Sequence, residues 1–231
     1  MAPTARRRRR WVRWLPVAIG AYLLVAYLAL PAFWKRDDRA PPVANAMPTL
    51  TQGADGLPGD PVNLEIVGDA TRLHDAMLAA GWVVADPLDA EDDARIVVDT
   101  LDHHAYPDAP VSRLFLYGRA EDVAFEMPIG DDPARRHHVR FWRVPSEPVR
   151  WLGAASLDQS VGLARTTGQV THHIAPDVDA ERDHVLATLR SAGRLQRLRY
   201  IDGFQHTPAG SNAGGDPWRS DGRLGVGVLR D

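Results

Sequence analysis

The sequence predicts an α+β domain, a mainly antiparallel sheet with about three helices, preceded by a single N-terminal transmembrane helix. Three observations predict it. A run of 21 uncharged residues, 14–34, follows arginines at 6–10 and 13. Short β-rich stretches separated by turn residues fill the middle of the chain. Two similar segments, Asp69-Ala-Thr-Arg-Leu-His74 and Asp179-Ala-Glu-Arg-Asp-His184, each run at helical spacing to an Ala-Gly stop, as two strand-helix-strand units of one sheet would.

At about 1.5 Å per residue the apolar run covers about 30 Å, the thickness of a bilayer's hydrocarbon core. Trp11, Trp14, Tyr22, Tyr27, Phe33 and Trp34 put aromatic rings near its ends, at headgroup level. Six arginines precede the run, whereas Lys35, Arg36 and Arg39 after it are offset by Asp37 and Asp38. That asymmetry keeps residues 1–13 in the cytoplasm and places the rest outside the inner (plasma) membrane, single-pass, with the lipid bilayer as the partner of residues 14–34. A cleaved signal peptide is the alternative. Its core is usually shorter, and Leu30, Pro31, Phe33 and Trp34 make a poor cleavage region. Residues 35–59, with Pro41, Pro42, Pro48 and Pro58, read as a flexible tether, and residues 60–231 as the soluble domain.

Within the domain, residues 62–67 predict a strand, Asp69 caps a helix carrying Leu73, Met77 and Ala80, and Gly81 stops it before a strand at 82–84. Ala94, Val97, Val98 and Leu101 suggest a helix over 89–101. Strands follow at 112–117, 123–127, 137–144 and 150–155. After the second helix, residues 195–201 predict a strand and 224–229 one that closes the sheet. The glycine-rich connection 202–223 reads as a hairpin excursion; Asp216 argues against an anion nest there.

Composition excludes several chemistries. There is no cysteine, hence no disulfide, thiolate nucleophile or Cys-ligated metal. Lys35 is the only lysine. Neither a Gly-x-Ser-x-Gly elbow nor a His-Glu-x-x-His helix occurs. The formal net charge is −3, and because the first 36 residues carry eight positive charges and no negative one, the remainder is strongly acidic and a poor nucleic-acid binder. Asp177, Asp179, Glu181 and Asp183 imitate a calcium loop, but Arg182 stands where such a loop needs glycine.

The chemistry-bearing candidates are the pairs His137-His138 and His172-His173. Neighbours on a strand face opposite ways, so His137 goes with Val139 and Phe141, and His138 with Arg140 and Trp142. One ring from each pair could meet Asp158, or an acid from 177–181, around a divalent metal such as zinc, giving a hydrolytic site. His138, His173 and Asp158 form the first such set, with His137 and His172 nearly as eligible. Arg135, Arg136 and Arg140, interleaved with aromatic rings, suggest instead a site for an anionic ligand of the envelope. A third reading makes the pairs hydrogen-bond clips inside the sheet.

The segments Arg135-Arg-His-His-Val-Arg-Phe-Trp142, Trp151-Leu-Gly-Ala-Ala-Ser-Leu-Asp158, Thr167-Gly-Gln-Val-Thr-His-His-Ile174 and Gly214-Gly-Asp-Pro217 resemble those of the LssY C-terminal domain family. Pro110-Val-Ser-Arg-Leu-Phe-Leu-Tyr-Gly-Arg119 fits as well. The resemblance implies a membrane-associated bacterial domain with no assigned reaction. The expected function is therefore a membrane-anchored extracytoplasmic binding or accessory module of the cell envelope, meeting other envelope proteins or an anionic ligand. A metal-dependent hydrolase and a purely structural domain are the alternatives.

Overall fold

The computed structural model describes residues 14–29, 47–53, 56–85, 113–130, 132–168 and 170–231. Helix α1 spans Leu15–Leu24 and continues as a π-helical turn over Val25–Ala29. Those 15 residues cover about 22 Å. Among the described residues no helix is long and apolar enough to cross a membrane, and the expected span 14–34 is described only to residue 29. An uninterrupted span thus finds no support in the described helix. α1 is apolar and largely exposed, Trp14 and Leu28 by 69% and 67%. It meets the domain through its second half. The Tyr22 hydroxyl donates to the Gly168 carbonyl, the Tyr27 hydroxyl accepts from Val170 N–H at 3.4 Å, and Ala26 is buried.

The domain is α+β, with a sheet of eight strands at its centre. Its order is β11 (Leu195–Ile201), β14 (Leu224–Leu229), β3 (Leu64–Val67), β9 (Arg150–Leu163), β8 (Asp132–Val144), β7 (Val123–Ile129) and β4 (Val83–Val84). β10 (Val170–Ile174) pairs with the far half of β9. Only β14 and β3 run parallel; every other pairing in the sheet is antiparallel. Both strand-helix-strand units contribute to this one sheet. β14 does not close it but lies inside, between β11 and β3, because Leu224, Val226 and Leu229 are buried and need neighbours on both sides.

Helices α2 (Ala70–Ala79) and α3 (Val178–Ser191) cover one face. Asp69 caps α2 by accepting from Arg72 N–H, and Asp177 caps α3 by accepting from Ala180 N–H. Gly81 and Gly193 end the two turns with positive φ of 90° and 69°, a conformation that costs other residues steric energy. Leu73 and Met77 of α2 and Val185, Leu186 and Leu189 of α3 bury against Phe125, Val139, Phe141 and Trp151. Full burial of each such side chain stabilises by about 1.5–3 kcal/mol, so this face supplies most of the core.

The opposite face meets a four-stranded sheet in the order β2 (Pro58–Pro61), β1 (Leu50–Gly53), β5 (Leu114–Leu116) and β6 (Arg119–Ala120), packing Leu114 and Leu116 on Trp142, Leu152 and Val226. The expected tether is thereby corrected: residues 50–53 and 58–61 are strands. Pro58 misleads because proline removes a backbone donor, which an edge strand such as β2 does not require. β9 also outruns its expected end at residue 155, since its polar second half is stabilised by pairing with β8 and β10. The connection 202–223 holds the expected hairpin, β12 (Ala209–Ser211) with β13 (Pro217–Arg219). The helix expected over 89–101 lies outside the described residues.

Candidate functional site

Strand β8 divides its motif between two environments. His137, Val139 and Phe141 face the helices, whereas Arg136, His138, Arg140 and Trp142 face the smaller sheet and its flanking loops, as period-2 alternation requires.

On the helix side, His137 Nδ1 lies 2.8 Å from Glu181 Oε2. Glu181, His184 and Thr188 sit at i, i+3 and i+7 on one face of α3. His184 stacks on His137 with ring centroids 3.8 Å apart, and Trp82 stands edge-on to His137 while its indole donates to Thr188 Oγ1 at 3.0 Å. Glu181 Oε1 and His184 Nε2 are buried without a hydrogen-bond partner. Burial pushes the Glu181 carboxyl up, against the pull of His137, and pushes the His184 imidazole down. A cleft of about 410 Å³ opens beside them, lined by Ala79, Ala80, His184 and Thr188.

On the other side, six segments distant in sequence converge. Arg136 stands directly opposite Asp158 across β8 and β9 and donates from Nε to its Oδ2 at 3.1 Å. Its Nη1 donates to Glu126 Oε2 at 2.9 Å, and its Nη2 lies 3.3 Å from His172 Nε2. A guanidinium only donates, so His172 Nε2 accepts and the ring carries its proton on Nδ1. Arg140 pairs with Asp60 at 3.6 Å. Asp60 also accepts from Ser156 and Asn212, and the Asn212 side chain accepts from Asp216 N–H. Asp216 then takes His173 Nδ1 at 2.8 Å and Ile174 N–H at 3.2 Å. Between Arg136 and Arg140, His138 is fully buried and neither ring nitrogen has a partner.

Electrostatics follow from this burial. Desolvation pushes Asp158 up to about 6, against Arg136 and Arg140. Desolvation, then the guanidiniums, holds His172 down to about 3 and His138 well below the usual imidazole range. Both rings are neutral at physiological pH.

Of the candidate residues, Arg136, Arg140, His138, His172 and Asp158 come together. Arg135 is exposed, His137 turns to Glu181, and His173 turns to Asp216. The set His138, His173 and Asp158 is thus replaced by His138, His172 and Asp158, because the residue at 173 is drawn off by Asp216. Two guanidiniums share that cluster and would repel a metal ion. Among the described residues no group of three or more His, Asp or Glu could hold one. Glu126 and Asp60 had no motif to announce them; His184 lay in the repeated segment 179–184 but read only as part of a helix, and Asn212 and Asp216 lay in the glycine-rich connection, where Asp216 read only as an obstacle to anions. A third pair, His103-His104, lies outside the described residues.

The class so defined is an α+β domain whose antiparallel sheet carries a charge-compensated polar cluster at the meeting of its motif strands. The chain belongs to the LssY C-terminus family, whose model matches residues 44–224. Comparison with curated proteins and with solved structures returned no match.

Proposed function

We propose that the chain is a membrane-anchored, extracytoplasmic binding or accessory module of the cell envelope. One observation carries the module over the enzyme: the groups best suited to chemistry are committed to one another inside the fold. His138 and Asp158 are buried, Arg136 and Arg140 sit on carboxylates, and His137 and His173 each hold a buried acid from another element. Such contacts act as clips between strand, helix and hairpin. Anchoring is supported by the arginine-flanked apolar run and by the exposed apolar surface of α1. In carbonate-washed membranes the full chain should remain in the pellet, and in spheroplasts its domain should be digested by added protease. Recovery in the supernatant, or a protected domain, would overturn the placement.

The metal-dependent hydrolase remains a second reading because one ring of each pair, His138 and His172, does share a cluster with Asp158. Elemental analysis separates the two. The module predicts that His138→Gln leaves metal content unchanged; loss of about one bound equivalent per chain would favour the hydrolase.

A further inference from the structure

A group of exposed arginines lies at the sheet edge remote from α1. Outside the N-terminal segment the chain is acidic, yet Arg190, Arg194, Arg197, Arg199 and Arg230 are all exposed around β11. Among the described residues none of the five makes an ion pair; Arg230 Nε donates to the Leu195 carbonyl, and Asp231 beside it turns to Arg72. Arg190 gains from the carbonyl end of α3. The other four have no such reason to gather.

β11 is also an edge. Among the described residues it pairs only with β14, so along its seven residues the outward backbone N–H and C=O groups have no strand partner. A single charge suffices to blunt an edge. Several arginines without acids make a surface that attracts an acidic chain.

Register fixes where this edge points. Arg197 aligns through Val228 and Val67 with Arg150, at the start of β9. α1 rests on the turn just beyond Leu163, at the other end of the same strand. At about 3.3 Å per residue the two ends stand roughly 40 Å apart. The arginine edge therefore lies at the end of the sheet remote from the turn that α1 touches.

We infer that the β11 edge is a docking site for an acidic, extended polypeptide segment that adds to the sheet as a further strand, its carboxylates meeting Arg194, Arg197 and Arg199. Backbone pairing supplies affinity in such strand addition, and alternate side chains supply selectivity. The charges steer encounter and set the partner's sign.

The test uses the full chain in detergent micelles with a fluorescent peptide alternating glutamate and valine, and a lysine-valine peptide as control. The acidic peptide should bind, weaken with salt, and slow amide exchange along residues 195–201. R197E with R199E should weaken binding by about tenfold or more while leaving the melting temperature and near-ultraviolet circular dichroism unchanged. Equal binding of both peptides, indifference to the charge reversal, or binding without slowed exchange in β11 would overturn the inference. So would arginine-dependent binding to phosphatidylglycerol vesicles with no peptide binding. Membrane fractionation of the same chain reports separately on the anchoring.

Discussion

At the scale of single residues, acid stability depends on which buried group keeps its proton. Unfolded imidazoles take up protons below about 6.5, whereas folded His172 resists to about 3 and folded His138 far below its usual range. Both therefore stabilise the fold at neutral pH and lose that contribution as pH falls. Asp158 acts oppositely. Its folded carboxyl keeps a proton up to about 6 while the unfolded one releases it near 3.9, so its contribution is present in acid and lost as pH rises. Between about pH 6 and 4 the two imidazoles outweigh the one carboxyl. Acidification across that range should therefore lower stability, read from urea midpoints. His172→Gln keeps an acceptor for Arg136 but removes one titration, and should flatten that slope. Glu181→Ala should cost about 1–3 kcal/mol, because His137 Nδ1 loses its acceptor at a largely buried position. Hydrogen-bond partners of this kind, spaced 44 residues apart for His137 and Glu181, were not legible from spacing; the alternation that sent His137 and His138 to opposite sides was.

At the scale of elements, β14 and α3 touch through glycine. A Cβ at Gly225 would lie 2.6 Å from Leu186 Cδ1 and 3.0 Å from Arg182 Cδ, so this strand can approach the helix only without a side chain there. Gly225→Ala should destabilise by about 1–3 kcal/mol through overpacking. Leu186→Ala should cost about 2–5 kcal/mol through the cavity it leaves. Because the added methyl enters the space the leucine vacates, the double variant should cost clearly less than the sum, a coupling that thermal or urea unfolding can measure. The helices α2 and α3 and the strands β7, β8 and β11 were legible because caps, glycine stops and alternation are local. β1, β2 and the far half of β9 were not. Their residues are polar or proline-bearing and become strands only when a neighbour completes their backbone bonds.

At the scale of the whole molecule, the contact of α1 with the domain and a full membrane crossing compete. Tyr22 lies eight residues past Trp14, about 12 Å along the helix, so a crossing over 14–34 would carry it near mid-bilayer. The turn it touches bears Arg165, Thr166 and Thr167, which cannot follow into hydrocarbon without loss of solvation. Cysteines introduced as Tyr22→Cys and Thr167→Cys should therefore fail to crosslink in native membranes. Efficient crosslinking there would mean that α1 stays on the domain. The arginine edge of β11, at the other end of the sheet from that turn, is free to meet a partner whether or not α1 stays on the domain.

What the sequence by itself determined was whatever rests on local chemistry: the α+β class, the caps and stops of two helices, the two-sidedness of β8, and the arginine asymmetry around the apolar run. Tertiary structure alone decided which ring of each histidine pair meets which carboxylate, that Arg136 and Arg140 are held by Asp158, Glu126 and Asp60, and that β14 is central. The physical reason is that periodicity specifies the direction of a side chain from its own backbone, whereas its partner is specified by strand register and helix packing, which bring together residues far apart in the chain.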